Sequence, residues 1–325
     1  MKSILFITFM IFYGSVTISA QTKTQIAKTY TTPVSGVLYK KIKVDGLEIF
    51  YREAGSTTNP TILFFHGLPS SSHMYRNIMT ELSSQYHVIA PDYPGFGLSS
   101  SPTVNQFNYT FDNIAVIMEH FIDALKLNNI NLYMQDYGGP VGFRIASRRP
   151  EIIHSLIIQN ANAYLEGLGD GLQKIGKLQQ SGDSLALHKA LLHIVSYEGI
   201  KEQYIEDAEN QNRISPDAYN MDSYFMEKQG IKDIQVALLK NYKTNFPRYP
   251  EWQQYFRKHQ PHTLIIWGRN DPIFITPGAE AYRKDLKNAE LHLLNGGHFV
   301  LEEHHETVTD IISQFLIKRK KTSMK

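Results

Sequence analysis

Short apolar runs recur along this chain, and each gives way abruptly to a glycine, an asparagine, a carboxylate or a histidine. They read "TILFFHG", "YHVIAPDYPGFG", "NLYMQDYGG", "HSLIIQNA", "HTLIIWG" and "AELHLL". Runs this short, and apolar on both alternating sides, suit strands buried on both faces. Most are separated by stretches with helical spacing. A helix between two strands returns the chain to the edge it left, so such strands run parallel. The pattern predicts an α/β fold: a mostly parallel central sheet with helices on both faces.

Helices are expected over about 72–84, over 110–127, where Ile114, Ile117, Phe121, Ile122 and Leu125 share a face, and over 303–318. The stretch "VLYKKIKVDGLEIFYREAG" alternates on either side of Asp45-Gly46, a hairpin signal. The strand–helix rhythm fails between about Ala163 and Lys258, which is helical in pattern, tyrosine-rich and without a clear buried strand. That interval reads as a helical cap over 163–258, inserted into a core of 37–162 and 259–318, where it would roof whatever sits at the strand ends.

Outside this core the chain changes character. Met1 and Lys2 precede an apolar run from Ile4 to Ile18, and "ISA" leads into the polar "QTKTQ". This order predicts a secretory signal peptide over 1–20, cleaved after Ala20, and hence an exported protein, periplasmic or secreted. The run is short for a membrane span, so no stable span is expected after cleavage. Residues 21–36 read as a lead-in, and 319–325, beginning within "KRKK", as a solvated basic tail. A net charge of +2 on 325 residues argues against a nucleic-acid partner. The chain has no cysteine, which excludes disulfides and thiol catalysis.

In "NLYMQDYGGPVGFRIA" a strand stops at Asp136 and turns at once into a helix, with Gly138, Gly139 and Pro140 permitting the corner. A strand–nucleophile–helix elbow holds a side chain at the carboxyl end of a sheet, before a helix N-terminus. The usual apex is serine, and no G-x-S-x-G occurs in this chain. Serine needs a base to become nucleophilic, whereas a carboxylate with an ordinary pKa of about 4 is already charged at neutral pH. Displacement at an alkyl carbon by serine would leave a stable ether; by aspartate it leaves an ester that water can split. An aspartate elbow therefore suits displacement at saturated carbon.

Such a two-step reaction needs a base for the water, an acid to orient it and an oxyanion hole. Asp271 follows one apolar strand in "WGRNDPIF", and His298 stands in a glycine-lined loop after the last, in "LLNGGHFVLEE". Nucleophile, acid, then histidine is the chain order of α/β-hydrolases. The backbone N–H groups of Leu68, in "HGLP", and of Tyr137 are the candidate oxyanion donors. His66 is read as supporting its loop, His304 and His305 as solvated, and no spacing suggests a metal site or a cofactor.

At these residues the chain resembles the aspartate-nucleophile branch of the α/β-hydrolase family, the soluble epoxide hydrolases and haloalkane dehalogenases. "HGLPSSSHMYRNIM", "APDYPGFGLSS", "QDYGGPVGFR", "WGRNDPIF" and "GGHFVLEE" stand in family order, and the likeness spans about 37–316. The resemblance implies a small apolar substrate, an epoxide or an alkyl halide. A tryptophan usually follows the nucleophile in both groups, and in dehalogenases asparagine often follows "HG"; here those positions are Tyr137 and Leu68. Trp267 and Trp252 are the chain's two tryptophans. Epoxide hydrolases use cap tyrosines to protonate the ring oxygen, and Tyr204 and Tyr224 resemble those donors most, with Tyr219 as an alternative. Met134 replaces the small residue often found two before the nucleophile. The expectation is epoxide hydrolysis, with haloalkane dehalogenation as the alternative and a non-catalytic binding protein on the same scaffold as a third.

Overall fold

The computed structural model describes residues 36–322, with side chains through residue 318. The signal peptide, nearly all of the lead-in and the side chains of the basic tail expected from the sequence lie outside those residues. The described strands are β1 (Leu38–Val44), β2 (Leu47–Ala54), β3 (Thr61–Phe65), β4 (His87–Pro91), β5 (Ile130–Gln135), β6 (Ile153–Gln159), β7 (His262–Gly268) and β8 (Glu290–Leu294). They form one sheet in the order β1-β2-β4-β3-β5-β6-β7-β8. β2 pairs antiparallel with both β1 and β4, and every later pairing is parallel. The hairpin closes at Asp45 and Gly46, with φ of 49° and 83°, so both central residues take the left-handed conformation such two-residue turns require.

The central strands are buried from end to end. β4 and β5 have no exposed residue, and Leu63, Phe64, Leu132, Met134, Ile157 and Ile265 are fully enclosed. Each such side chain contributes roughly 1.5–3 kcal/mol by leaving water. Met134 is accommodated by α3 (Gly138–Arg148): a Cβ on Gly142 would lie 2.3 Å from the Met134 sulfur, so the helix approaches the strand closely where it has no side chain.

The expected helix over 72–84 is a 3-10 turn, Ser72–Tyr75, followed by α1 (Arg76–Leu82). That over 110–127 is α2 (Phe111–Ala124), started by the Thr110 hydroxyl accepting the Asn113 N–H. Between β6 and β7 the regular elements are all helical: α4 (Asp170–Ser181), α5 (Ser184–Ile194), α6 (Tyr197–Ile205), α7 (Pro216–Met226), α8 (Ile231–Asn241) and α9 (Tyr249–His259), with short 3-10 turns. After β7 come α10 (Thr276–Ala281) and α11 (Val300–Thr322), which kinks at His304. Among the described residues no helix is long and apolar enough to cross a membrane.

His304 and His305 are half-buried and paired rather than solvated. His304 lies 2.6 Å from the Asn295 carbonyl, and His305 Nδ1 lies 2.7 Å from Glu81. The kink brings the first against a loop end, and packing of α11 on α1 brings the second against Glu81.

Candidate active site

Asp136 caps β5 with φ of 49°, a left-handed conformation that a non-glycine residue adopts at a cost. The corner closes because neighbouring backbone comes very near. A Cβ on Gly138 would lie 2.2 Å from the Phe65 carbonyl, and one on Gly67 would lie 2.3 Å from the Asp136 side chain. Those two glycines let the loop after β3 meet the carboxylate. Asp136 Oδ1 accepts the Leu68 N–H at 2.7 Å, and the Tyr137 N–H also donates to the carboxylate.

The remaining polar groups arrive from the ends of other strands. Asp271, after β7, holds His298 Nδ1 at 2.8 Å through Oδ2. Its Oδ1 accepts the N–H groups of Ile273 and Phe274 at 2.8 and 3.1 Å. Asn160, after β6, joins the two carboxylates: its side-chain amide donates to Asp271 Oδ2 at 2.7 Å, and its carbonyl accepts the Asp136 N–H at 3.2 Å. His298 Nε2 stands 3.9 Å from Asp136 Oδ2. The structure thus brings Asp136, Asp271, His298 and the N–H groups of Leu68 and Tyr137 into one buried cluster.

Burial pushes the Asp136 pKa up to about 6, moderated by His298 and the two N–H donors. Burial disfavours a charged His298, but Asp271, with Asp136 behind it, outweighs that and raises its pKa. His66 is enclosed, stacks on Tyr93 at 4.2 Å and accepts the Tyr93 N–H at 3.2 Å. Burial lowers its pKa to about 3, so it is neutral and braces its loop.

The tyrosines distribute differently from the sequence expectation. Tyr224 is 64% exposed, with Lys228 over its ring. It lies off the buried stripe of α7, which runs through Ala218, Asp222 and Met226, and therefore points to solvent rather than into the site. Tyr204 is buried and stacks on Phe299 at 3.8 Å, but its hydroxyl donates to Asp222 Oδ2 at 2.6 Å. Tyr219 is half-buried beside it.

The residue the sequence reading missed is Tyr242. Its ring stacks 6.0 Å from that of Tyr137 and it interacts electrostatically with Asp136. Both hydroxyls are buried; that of Tyr137 has no hydrogen-bond partner among the described residues, whereas that of Tyr242 lies against the Tyr249 hydroxyl and donates toward it. Ile234, Leu238 and Tyr242 recur every four residues on the buried face of α8 and its continuation, a signal present in the sequence. The Tyr93 hydroxyl is likewise buried, unpartnered among the described residues and within the field of Asp136.

Both indoles are packed. Trp267 Nε1 donates to the Phe274 carbonyl at 2.7 Å, and Trp252 lies between Phe143 and Tyr249 with Arg144 over its face. Among the described residues no cluster of three or more histidine, aspartate or glutamate side chains is arranged to hold a metal ion.

Residues 60–305 match the family described as the alpha/beta hydrolase fold. Over 283 residues, 85% of this chain and 97% of the relative, the sequence is 38% identical to an uncharacterised hydrolase of Saccharomyces cerevisiae. It is 26% identical over 290 residues to a haloalkane dehalogenase of Psychrobacter cryohalolentis, covering 83% and 88% of the two chains. It is 23% identical over 283 residues to epoxide hydrolase 3 of Mus musculus, covering 85% and 75%. The chain belongs to the α/β-hydrolase fold family, as a hydrolase with haloalkane dehalogenases and an epoxide hydrolase among its relatives.

Proposed function

We propose that this hydrolase opens epoxides to diols through a covalent ester on Asp136. The observation that carries the reading is the pair of buried phenols beside Asp136: the Tyr137 hydroxyl has no hydrogen-bond partner among the described residues, Tyr242 stacks on Tyr137 with its hydroxyl against that of Tyr249, and Asp136 Oδ1 is already held by the Leu68 N–H. With Oδ1 held, Oδ2 attacks the epoxide carbon. The ring C–O bond breaks, and the departing oxygen takes a proton from a phenol, Tyr242 being the leading donor. His298 then removes a proton from water, and the hydroxide adds to Asp136 Cγ. The oxyanion on Oδ1 keeps the N–H groups of Leu68 and Tyr137. Collapse releases the diol, whose oxygen takes the proton from His298, and the acid proton left on Asp136 returns to the phenolate.

A halide, by contrast, must be stabilised without proton transfer. Of the groups that commonly do so, the Trp267 N–H is bound to a carbonyl, and the Trp252 N–H, buried without a hydrogen-bond partner among the described residues, belongs to a ring packed between Phe143 and Tyr249. The relationship to haloalkane dehalogenases keeps halide release as the second reading, with the phenols solvating the ion. One assay separates the two: diol formation from a styrene-oxide-type epoxide against halide release from bromoalkanes. His298→Gln should gain the mass of an epoxide on the intact protein, and Asp136→Ala should abolish turnover. Halide release without diol formation establishes the second reading. No adduct on His298→Gln refutes the ester mechanism. Tight ligand binding with neither product would instead mark a non-catalytic binding protein on this scaffold.

A further inference from the structure

The residue before the nucleophile, Gln135, ends β5 and is fully buried. Its Nε2 lies 3.0 Å from His298 Nε2, while its Oε1 has no hydrogen-bond partner among the described residues. Asp271 on Nδ1 fixes the neutral imidazole as the Nδ1–H tautomer, so Nε2 carries the lone pair and accepts from the Gln135 amide. The nitrogen that must take a proton from water is therefore occupied in the resting site.

We infer that Gln135 is a positioning residue for the ester-splitting half of the reaction, donating to the neutral imidazole of His298 and, with its carboxamide turned over, accepting from the imidazolium. The inference rests on the ester mechanism proposed above. β5 is hydrogen-bonded to β3 on one side and β6 on the other, so the Gln135 backbone is fixed and only its side chain can respond. The terminal torsion of glutamine is broad and roughly two-fold, so exchanging its nitrogen and oxygen needs little movement. Released from Nε2, the amide lets water deliver a proton there and hydroxide to Asp136 Cγ. The new Nε2–H then finds Oε1, the one end of the carboxamide that had no partner.

Among the described residues no other side chain hydrogen-bonds His298 Nε2. Asp271 holds Nδ1, Asp136 Oδ2 stands 3.9 Å from Nε2, and Phe274 and Phe299 pack on the ring with centroids at 5.7 and 5.2 Å. Attack by Asp136 on the substrate precedes any proton transfer to His298, so Gln135 bears on the second step and not the first.

The test is rapid-quench intact-protein mass spectrometry of Gln135→Met with a styrene-oxide-type epoxide, beside wild type and His298→Gln. The ester should form within about twofold of the wild-type rate, then decay about tenfold or more slowly and accumulate in the steady state. Gln135→Glu supplies a second readout. Its carboxylate accepts from the imidazolium but cannot donate to the neutral ring, so ester decay should recover only at higher pH, by about one unit or more. Ester decay at the wild-type rate in Gln135→Met overturns the inference, as does an equal loss of both steps in both variants. Absence of any ester on His298→Gln instead refutes the underlying mechanism, so the two failures are distinguishable.

Discussion

Asp136 Oδ2 and His298 Nε2 stand 3.9 Å apart, too far for a hydrogen bond, although both are buried in one cluster. In serine elbows the corresponding pair must touch, because the histidine deprotonates the nucleophile. A carboxylate needs no such help. In the proposed reaction the gap leaves Oδ2 free to attack, and once it is esterified His298 would have to reach a water rather than Asp136.

The acid side of the pH profile follows from the nucleophile. Burial raises the Asp136 pKa to about 6, and only the ionised form attacks. Single-turnover ester formation should be level above that pH and fall tenfold per unit below it. Stopped-flow or rapid-quench rates between pH 4 and pH 8 should show the break, and a profile flat down to pH 4 contradicts this reading.

The same burial makes the Asp136 carboxylate a cost to the fold. A pKa raised from 3.8 to about 6 means the folded state holds the proton more tightly than the unfolded chain. Relative stability from that proton is complete below about pH 4 and lost as pH rises through 6. Asp136→Asn should therefore stabilise the protein at pH 7 by about 2–3 kcal/mol. The gain should shrink steadily as pH falls from 6 to 4, as read by chemical denaturation. A gain independent of pH points to another cause.

The two tyrosines separate by position. Tyr242→Phe should slow ester formation from an epoxide by about 100-fold, by removing a donor to the departing oxygen. Tyr224→Phe, on the solvent face, should leave it within about twofold. Equal effects would show that the donor lies elsewhere, with the Tyr137 hydroxyl the next to test.

A charged pair ties α1 to the start of α11, just beyond the His298 loop. Arg76 grips Glu302 with two bonds of 2.7 and 2.8 Å, and the glutamate side chain is only 4% exposed. Arg76→Met should cost about 2–4 kcal/mol, because it strands a buried carboxylate. Adding Glu302→Leu should restore most of the loss. A double variant as unstable as the sum of its parts would show that the pair is not what the first substitution removed.

The sequence was sufficient where the placement of a residue depends on chain order and local geometry. The apolar runs dictated parallel strands, buried except for β8, which is half-buried at the sheet edge; Asp45-Gly46 dictated a hairpin, and an aspartate with two glycines close behind it dictated the elbow. Asp136, Asp271 and His298 were legible because each follows its own strand, and a parallel sheet gathers the carboxyl ends of its strands on one edge. Strand order was not legible: β4 lies between β2 and β3, which depends on pairing across long sequence separation.

The direction of side chains in the helical stretch between β6 and β7 was also decided only by tertiary structure. Tyr204 and Tyr224 on α-helices and Tyr242 at the 3-10 turn after α8 are the same residue type, yet one donates to Asp222, one faces solvent, and one lies in the field of Asp136. A helix buries whichever stripe its neighbours cover, and those neighbours come from distant parts of the chain. The contact of Gln135 with His298 has the same origin, since 163 residues separate two groups that only the closed sheet brings within 3.0 Å.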